Sequence, residues 1–165
     1  MFGRRTKTLV AAGAKAPQFR LSGALGLDAP ARSLQEILAA GPALLAFFKI
    51  SCPVCQLTVP YLERQAANKA LQVIGISQDD AGATRGFASR FGLTFPMLLD
   101  LSSENYPASN AYGISSVPSM FLVESDGTVS RSFPGFSKSD FEAIGARAGR
   151  SPFGPDDHVP EWKAG

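Results

Sequence analysis

The sequence has few of the residues on which metal and histidine chemistry depends. Its 165 residues include two cysteines and one histidine, His158. A structural zinc site takes four ligands, so we expect no metal centre. The same scarcity argues against histidine as the main catalytic group. With only two cysteines, a wider disulfide framework is also excluded.

Charge and long apolar runs are scarce as well. The formal net charge is +2, and no dense stripe of lysine and arginine supports nucleic-acid binding. No apolar run reaches the length of a membrane-spanning helix, so no membrane span is expected. Neither a glycine-rich phosphate loop nor a dinucleotide fingerprint occurs. The chain is nevertheless 45% hydrophobic, enough for one globular domain, which we expect to be a monomer.

The two cysteines lie together in the segment Cys52-Pro53-Val54-Cys55. The run before it, residues 43–48, is continuously apolar and predicts a strand buried on both faces. Apolar residues follow at near-helical spacing, and Pro60 is expected to kink that helix without ending it. Pro53 suits a first helical turn. The cysteines are therefore predicted where a buried strand passes into a helix.

This placement favours thiol chemistry. Two cysteines three residues apart on a first turn can form a disulfide with little backbone movement. Cys52 would face the unpaired N–H groups and the positive end of the helix dipole, which favour a thiolate. We therefore predict Cys52 as the attacking thiol and Cys55 as the more buried resolving thiol, with their redox-active disulfide as the only redox group. The alternative is a pair of structural core cysteines.

The rest of the chain alternates strand and helix patterns. Ser33 and Glu36 form a capping box that predicts a helix to about residue 40, and Asp126-Gly127 predicts a hairpin turn. An extended edge segment is expected at 16–21 and a loop at 23–30. Strands are predicted at 71–77, 96–100, 119–124 and 129–133. One helix is predicted from the turn at 79–82 to about residue 91, and two more over 104–112 and 137–148. This order predicts an α/β fold whose crossover 43–77 is parallel.

The two ends of the chain differ in composition from its middle. We divide the sequence into an N-terminal arm, residues 1–15, a domain, residues 16–148, and a Pro-rich tail, residues 149–165. The arm begins with a charged stretch that includes Arg4-Arg5, but the apolar stretch behind it is short for a secretory signal. We therefore expect a cytoplasmic protein, with a periplasmic or envelope location as the alternative.

Three stretches together point to a known family. They are 47–55 followed by Val59-Pro60, 92–100, and 112–123 followed by Asp126-Gly127. They resemble thioredoxin-fold thiol-disulfide oxidoreductases, most closely the TlpA-like and redoxin (AhpC/TSA-related) branch, over about residues 16–148. The resemblance implies a three-layer α/β/α architecture with a central mixed sheet. It also implies a CxxC motif at the N-terminus of a kinked helix and a cis-proline loop opposite.

The resemblance implies residues that bind substrate. The cis-proline of the family falls on Pro118, and Val117 before it would offer its backbone to an extended substrate. Ser51 and Pro53, which flank Cys52, are expected to line the same surface. Ser51 is a departure, since relatives usually have tryptophan there.

Other departures concern charged groups near the cysteines. At the two positions where relatives carry an acid for the buried cysteine, this sequence has Ala46 and Thr58, so no carboxylate is evident for Cys55. Lys49 is a modulating candidate, because a cation beside Cys52 would favour its thiolate. The favoured alternative is a lysine that reaches out of the strand end into water.

The implied function is exchange of dithiol and disulfide with a disulfide-bearing protein or small-thiol substrate through a mixed disulfide at Cys52. A thiol reductant would then restore the dithiol. One alternative is a peroxiredoxin-like thiol peroxidase. Those proteins have Pro-x-x-x-Thr/Ser-x-x-Cys, whereas Leu45 and Lys49 occupy the first two of those positions here. Another alternative is a redox-silent interaction domain that uses the apolar rim near Ile50, Val54, Val117 and Phe136.

Overall fold

The computed structural model describes residues 7–25 and 30–165. The strands are β1 (Arg20–Leu25), β2 (Arg32–Ser33), β3 (Ala43–Phe48), β4 (Gln72–Ser77), β5 (Met97–Leu99), β6 (Ser119–Val123), β7 (Val129–Pro134), β8 (Phe136–Ser137) and β9 (Trp162–Lys163). The helices are α1 (Leu34–Ala39), α2 (Pro53–Ala67), α3 (Ala81–Phe91), α4 (Pro107–Ala111) and α5 (Lys138–Arg147), with a 3₁₀ turn at Ser102–Glu104.

Seven strands form one mixed sheet in the order β2-β1-β5-β4-β3-β6-β7. β3 pairs in parallel with β4 and antiparallel with β6. Both edges of β3 are therefore hydrogen-bonded, and all six of its residues are buried. The predicted strand at 43–48 and its parallel crossover to the next strand are confirmed. β8 and β9 form a separate two-stranded ribbon.

Side chains of β3 alternate between two hydrophobic cores. Leu44, Ala46 and Phe48 belong to the core that also contains buried residues of α2, α3 and α5. The residues between them belong to the core that contains residues of α1 and α4. This two-residue period is what a strand buried on both faces requires. The predicted three-layer α/β/α architecture is confirmed.

Helix starts follow the side chains that the sequence supplies for them. The Ser33 hydroxyl accepts a hydrogen bond from the Glu36 N–H at 3.1 Å, which confirms the predicted cap of α1. The Glu36 carboxylate pairs with Arg20 at 2.6 Å. Asp80 caps α3 in the same way, and α3 ends at Gly92 with φ of 64°, a conformation that glycine adopts without steric cost.

Apart from shifts of one residue at strand ends, two regions differ from the sequence prediction. In the first, the segment expected to be extended at 16–21 forms strand only from Arg20. β1 runs through Leu25, so residues 23–25 form strand where a loop was expected; antiparallel pairing with β5 extends it. Residues 26–29 of that loop lie outside the described residues. The helix expected over 104–112 is a 3₁₀ turn followed by the shorter α4. Asn105 and Tyr106 separate the two with φ of 64° and 47°, and Pro107 then starts α4.

Both ends of the chain, where described, pack on the domain. In the arm, the Val10 N–H donates to the Tyr112 carbonyl at 3.1 Å and the Gly13 N–H to the Val129 carbonyl at 2.8 Å. Arg4-Arg5 lies outside the described residues. In the tail, the ring of Phe153 packs on the ring of Tyr61, with 5.0 Å between centroids. The boundaries after residues 15 and 148 remain predictions.

Within residues 7–25 and 30–165, none of the helices has the length and apolar character needed to cross a bilayer.

Candidate active site

The candidate site lies at the carboxyl end of β3, where parallel sheets commonly bind ligands. β3 ends at Phe48 and α2 begins at Pro53, as predicted. Cys52 is the N-cap of α2, with extended φ and ψ of −86° and 116°. Its N–H donates to the Lys49 carbonyl at 3.2 Å, and its own carbonyl accepts from the Gln56 N–H at 3.0 Å. These bonds fix the loop that presents Cys52.

The two cysteines lie together but differ in exposure. The Cys55 N–H donates to the Cys52 Sγ at 3.2 Å. Cys52 is partly exposed, whereas Cys55 has 0% of its surface exposed. Both are free thiols. Cys52 is thus the sulfur that an external reactant can reach.

The environment of Cys55 opposes its ionisation. Burial, the largest cause, raises the pKa of the Cys55 thiol well above its ordinary value. The hydrogen bond with Cys52 and the negative charge of Asp79 also raise this pKa, and the backbone of Lys49 lowers it. Cys55 is therefore held as a neutral thiol at physiological pH, so a base must remove its proton before it can act as a nucleophile.

The loop opposite the cysteines contains the predicted cis-proline. The Val117–Pro118 peptide bond is cis, and the Cys52 thiol contacts the Val117 carbonyl oxygen, with 3.4 Å between Sγ and oxygen. The Pro118 carbonyl accepts a hydrogen bond from the Gly135 N–H at 2.7 Å, which ties the loop to β7 and β8. A cavity of about 160 Å³ adjoins Val117 and is lined by Gln78, Ile114, Ser115 and Ser116.

The remaining predicted site residues surround Cys52 at the surface. Ser51, Pro53 and Lys49 are all exposed. The exposure of Lys49 agrees with the interpretation that its head reaches water from the strand end. Roles of Ser51 and Pro53 in substrate binding remain predictions. Pro60 lies inside α2, and the kink predicted there also stays a prediction.

Asp79 is a candidate that the sequence analysis missed. Its Oδ2 accepts a hydrogen bond from the Ile50 N–H at 2.8 Å, and its charge acts on Cys55. The sequence carried a signal for Asp79, because the crossover 43–77 was predicted to be parallel. In the structure, Phe48 at the end of β3 pairs with Ser77 at the end of β4. Residues that follow two such strands meet at one edge of the sheet. Asp79 therefore approaches from the end of β4, whereas Ala46 and Thr58, where relatives carry an acid, lie on β3 and α2.

Ala46 and Thr58 occupy the two positions where relatives carry an acid, and neither side chain is a carboxylate. Ala46 is buried in the middle of β3. The Thr58 hydroxyl donates to the Val54 carbonyl at 2.6 Å. In the described part of the chain, histidine, cysteine and carboxylate side chains form no group of three or more that could hold a metal ion. The arrangement thus offers two thiols, one accessible and one buried, with a carboxylate nearby.

Comparison with known proteins agrees with this geometry. The family model described as AhpC/TSA family matches residues 12–132. The thiol-disulfide oxidoreductase ResA of Geobacillus thermodenitrificans is 30% identical over 142 residues, which cover 82% of this chain and 77% of that protein. The soluble secreted antigen MPT53 of Mycobacterium tuberculosis is 30% identical over 130 residues, covering 78% and 71% of the two chains.

A similar structure is known from Chlorobium tepidum, described as a thiol:disulfide interchange protein of the DsbE type. It superposes with a TM-score of 0.69 at 25% identity and covers 86% of this chain and 96% of its own. The chain therefore belongs to the AhpC/TSA family, as a thioredoxin-fold redoxin of the TlpA/ResA type and an enzyme of the thiol-disulfide oxidoreductase class.

Proposed function

We propose that this protein exchanges its Cys52–Cys55 dithiol and disulfide with a disulfide-bearing protein or small-thiol substrate. The Cys52 thiolate attacks one sulfur of the substrate disulfide, which forms a mixed disulfide and releases the other sulfur as a thiolate. The Cys55 thiolate then attacks the Cys52 Sγ and releases the second substrate sulfur. Two electrons pass from the dithiol to the substrate, and the Cys52–Cys55 disulfide remains.

The observation that carries this proposal is the difference in exposure between two adjacent sulfurs. The N–H of Cys55 lies 3.2 Å from the Cys52 Sγ, so the two residues adjoin. Only Cys52 is accessible to a substrate. Burial raises the pKa of Cys55, which keeps it protonated while Cys52 reacts first. A structural cysteine pair would not require one member at the surface.

The proton of Cys55 needs an acceptor in the second step. Asp79 is the carboxylate whose charge acts on Cys55, and its bond to the Ile50 N–H joins it to the loop that carries Cys52. We assign Asp79 as the group that accepts this proton, directly or through one water molecule. When the reaction runs in reverse, it returns the proton to the Cys55 thiolate.

Insulin reduction with dithiothreitol as the electron donor tests the proposed function. The wild-type protein is expected to accelerate precipitation of the insulin B chain, and Cys52→Ser, which replaces one sulfur by oxygen, to return the rate to that of dithiothreitol alone. Equal rates for the two proteins would contradict the proposal. Peroxide consumption by the same preparations tests the peroxidase alternative.

We further propose that the protein works outside the cytoplasm, in the periplasm or envelope, rather than in the cytoplasm as first expected. The support is the relative named as a soluble secreted antigen. Reaction of intact cells with a thiol reagent that does not cross membranes is expected to modify the Cys52 thiol. Labelling that requires cell lysis would favour the cytoplasm.

A further inference from the structure

The segment Glu161–Gly165, which we call the strap, lies along an edge of the active site. Its Trp162–Lys163 strand, β9, pairs antiparallel with β8, in the register Phe136 to Lys163. The Lys138 N–H donates to the Glu161 carbonyl at 3.0 Å. Hydrogen-bonded pairs alternate along an antiparallel ladder, so Lys163 also belongs to a hydrogen-bonded pair. The strap is therefore held by its backbone.

Beyond β9, the strap reaches the cis-proline loop. A Cβ atom added to Gly165 would lie 1.8 Å from the Val117 carbonyl oxygen and 3.0 Å from the Pro118 Cδ. A Cβ atom added to Gly135, which has φ of 74°, would lie 2.4 Å from the Lys163 carbonyl oxygen. Glycine at both positions permits this close approach of backbones.

The strap and Cys52 approach the same atom. The Val117 carbonyl oxygen that Gly165 approaches is the one that the Cys52 thiol contacts at 3.4 Å. An extended substrate that uses the Val117 backbone must occupy this position. The strap consequently stands where a substrate segment would lie, beside the attacking sulfur.

The chain before the strap is anchored more firmly than the strap itself. Phe153 packs against the rings of Tyr61, Phe136 and Phe141, and Asp157 pairs with Arg64 at 2.5 Å. The strap, in contrast, leaves Trp162 58% exposed, and its Glu161–Lys138 ion pair is long, at 3.6 Å. The strap can thus leave β8 while residues 150–157 stay in place.

We propose that the strap is a built-in competitor for the substrate site, and that the substrate it excludes is an extended polypeptide segment. Such a segment would displace the strap and pair with the exposed backbone of β8, in the manner of strand addition. A small disulfide needs only access to Cys52 and would be little affected. This inference rests on the proposed thiol-disulfide exchange.

The strap acts within the molecule, so its competition does not depend on protein concentration. The apparent affinity for an extended segment is the intrinsic affinity multiplied by the fraction of molecules in which the strap is open. Opening the strap should therefore raise the rate with an extended peptide by about tenfold if roughly one molecule in ten is open at equilibrium. The rate with a small disulfide should change much less.

Two substitutions open the strap by different means. Lys163→Pro removes a backbone N–H from the β8–β9 ladder. Gly165→Val adds a side chain where the Val117 carbonyl oxygen leaves no room. Lys163→Ala keeps the N–H and is the matched control. Trp162 is the only tryptophan of the chain, so quenching of its fluorescence by acrylamide reports whether each variant has opened the strap.

The test compares two reactants, each of which releases the same coloured thiol, nitrothiobenzoate, when a thiolate of the reduced protein attacks its disulfide. One is dithiobis(nitrobenzoate), and the other is an extended peptide whose single cysteine carries nitrothiobenzoate as a mixed disulfide. We expect Lys163→Pro and Gly165→Val to raise the ratio of peptide rate to small-disulfide rate, by about tenfold if roughly one wild-type molecule in ten is open. Lys163→Ala should keep the wild-type ratio.

The outcomes separate this inference from the function on which it rests. Greater Trp162 quenching with an unchanged rate ratio in both variants overturns the strap as a competitor. If quenching is unchanged in both variants, the contacts of Lys163 with β8 and of Gly165 with Val117 do not hold the strap closed, and the inference is also overturned. If the wild-type protein reacts with neither disulfide faster than a free thiol does, the proposed exchange itself fails.

Discussion

The Sγ atom of Cys52 lies 3.4 Å from the carbonyl oxygen of Val117, a residue 65 positions further along the chain. The contact joins the N-terminus of α2 to the cis-proline loop. The reactive sulfur is thereby placed beside a backbone segment that can pair with an extended chain. In the proposed function, the surface that reacts with a substrate and the surface that holds it therefore adjoin in the fold although they are distant in sequence.

The first prediction concerns the proton acceptor. Asp79→Asn keeps an oxygen that can accept from the Ile50 N–H but cannot take a proton from Cys55. Reaction of the reduced protein with dithiobis(nitrobenzoate) should release coloured thiol in two phases, first by Cys52 and then by attack of Cys55. We expect the second phase to slow by at least about tenfold and the first to stay unchanged.

The sign of that effect separates two roles for Asp79. The charge of Asp79 raises the pKa of Cys55, so a purely electrostatic role predicts that its removal makes the Cys55 thiolate more available and speeds the second phase. A slower second phase identifies proton acceptance. Asp156→Asn, an exposed substitution in the tail, is the control and should leave both phases as in the wild type.

The second prediction is a dependence of stability on pH. Burial raises the pKa of Cys55 above its ordinary value of 9.0, so the folded protein keeps this thiol protonated where the unfolded chain loses the proton. The stability associated with Cys55 is therefore present below pH 9 and decreases as the pH rises beyond it, by up to about 1.4 kcal/mol per pH unit.

Urea unfolding of the reduced protein measures this dependence. The difference in unfolding free energy between the wild type and Cys55→Ser should shrink from pH 7 to pH 10, because serine does not ionise in this range. A constant difference would show that Cys55 ionises as readily in the folded protein as in the unfolded chain, and a growing one that it ionises more readily; either contradicts the prediction.

The third prediction concerns the buried carboxylate that holds the start of α4. The Asp100 carboxylate is fully buried and accepts hydrogen bonds from the Ala108 N–H at 2.9 Å and the Ser109 N–H at 2.7 Å. Asp100→Asn replaces one accepting oxygen by an NH₂ group that faces a donor. Since bonds to charged groups contribute about 1.5–3 kcal/mol each, we expect a loss of stability in that range.

The loss should appear as a lower urea midpoint with an unchanged slope, since the surface exposed on unfolding stays the same. Asp156→Asn again serves as the control and should change the unfolding free energy by less than about 0.5 kcal/mol. Equal midpoints for the two variants would mean that Asp100 does not stabilise the start of α4.

Local pattern determined much of this structure. The uninterrupted apolar run at 43–48 predicts a strand buried on both faces, in the middle of a covered sheet. β3 has those bounds. The proline and cysteine pattern after it placed the start of α2. Pro118 was assigned from the family resemblance, since an X-Pro sequence alone permits both isomers, and the bond is cis.

What the sequence did not reveal depends on contacts between distant segments. The role proposed for Asp79 depends on β4 lying beside β3, and its neighbours in the sequence do not mark it. Residues 23–25 extend β1 because β5 supplies partners across the ladder. The strap has no strong strand pattern of its own, and β8 draws it into a ribbon. For Asp79, for residues 23–25 and for the strap, the observed arrangement depends on a strand that is distant in the sequence.

Trapping of the mixed disulfide tests the central claim, that Cys52 attacks and Cys55 resolves, most directly. Reduced Cys55→Ser is mixed with the peptide that carries nitrothiobenzoate, and the products are weighed by mass spectrometry. We predict a stable adduct of the peptide on Cys52 in Cys55→Ser, and no adduct on Cys55 in Cys52→Ser. An adduct on Cys55, or none on either protein, would contradict the account.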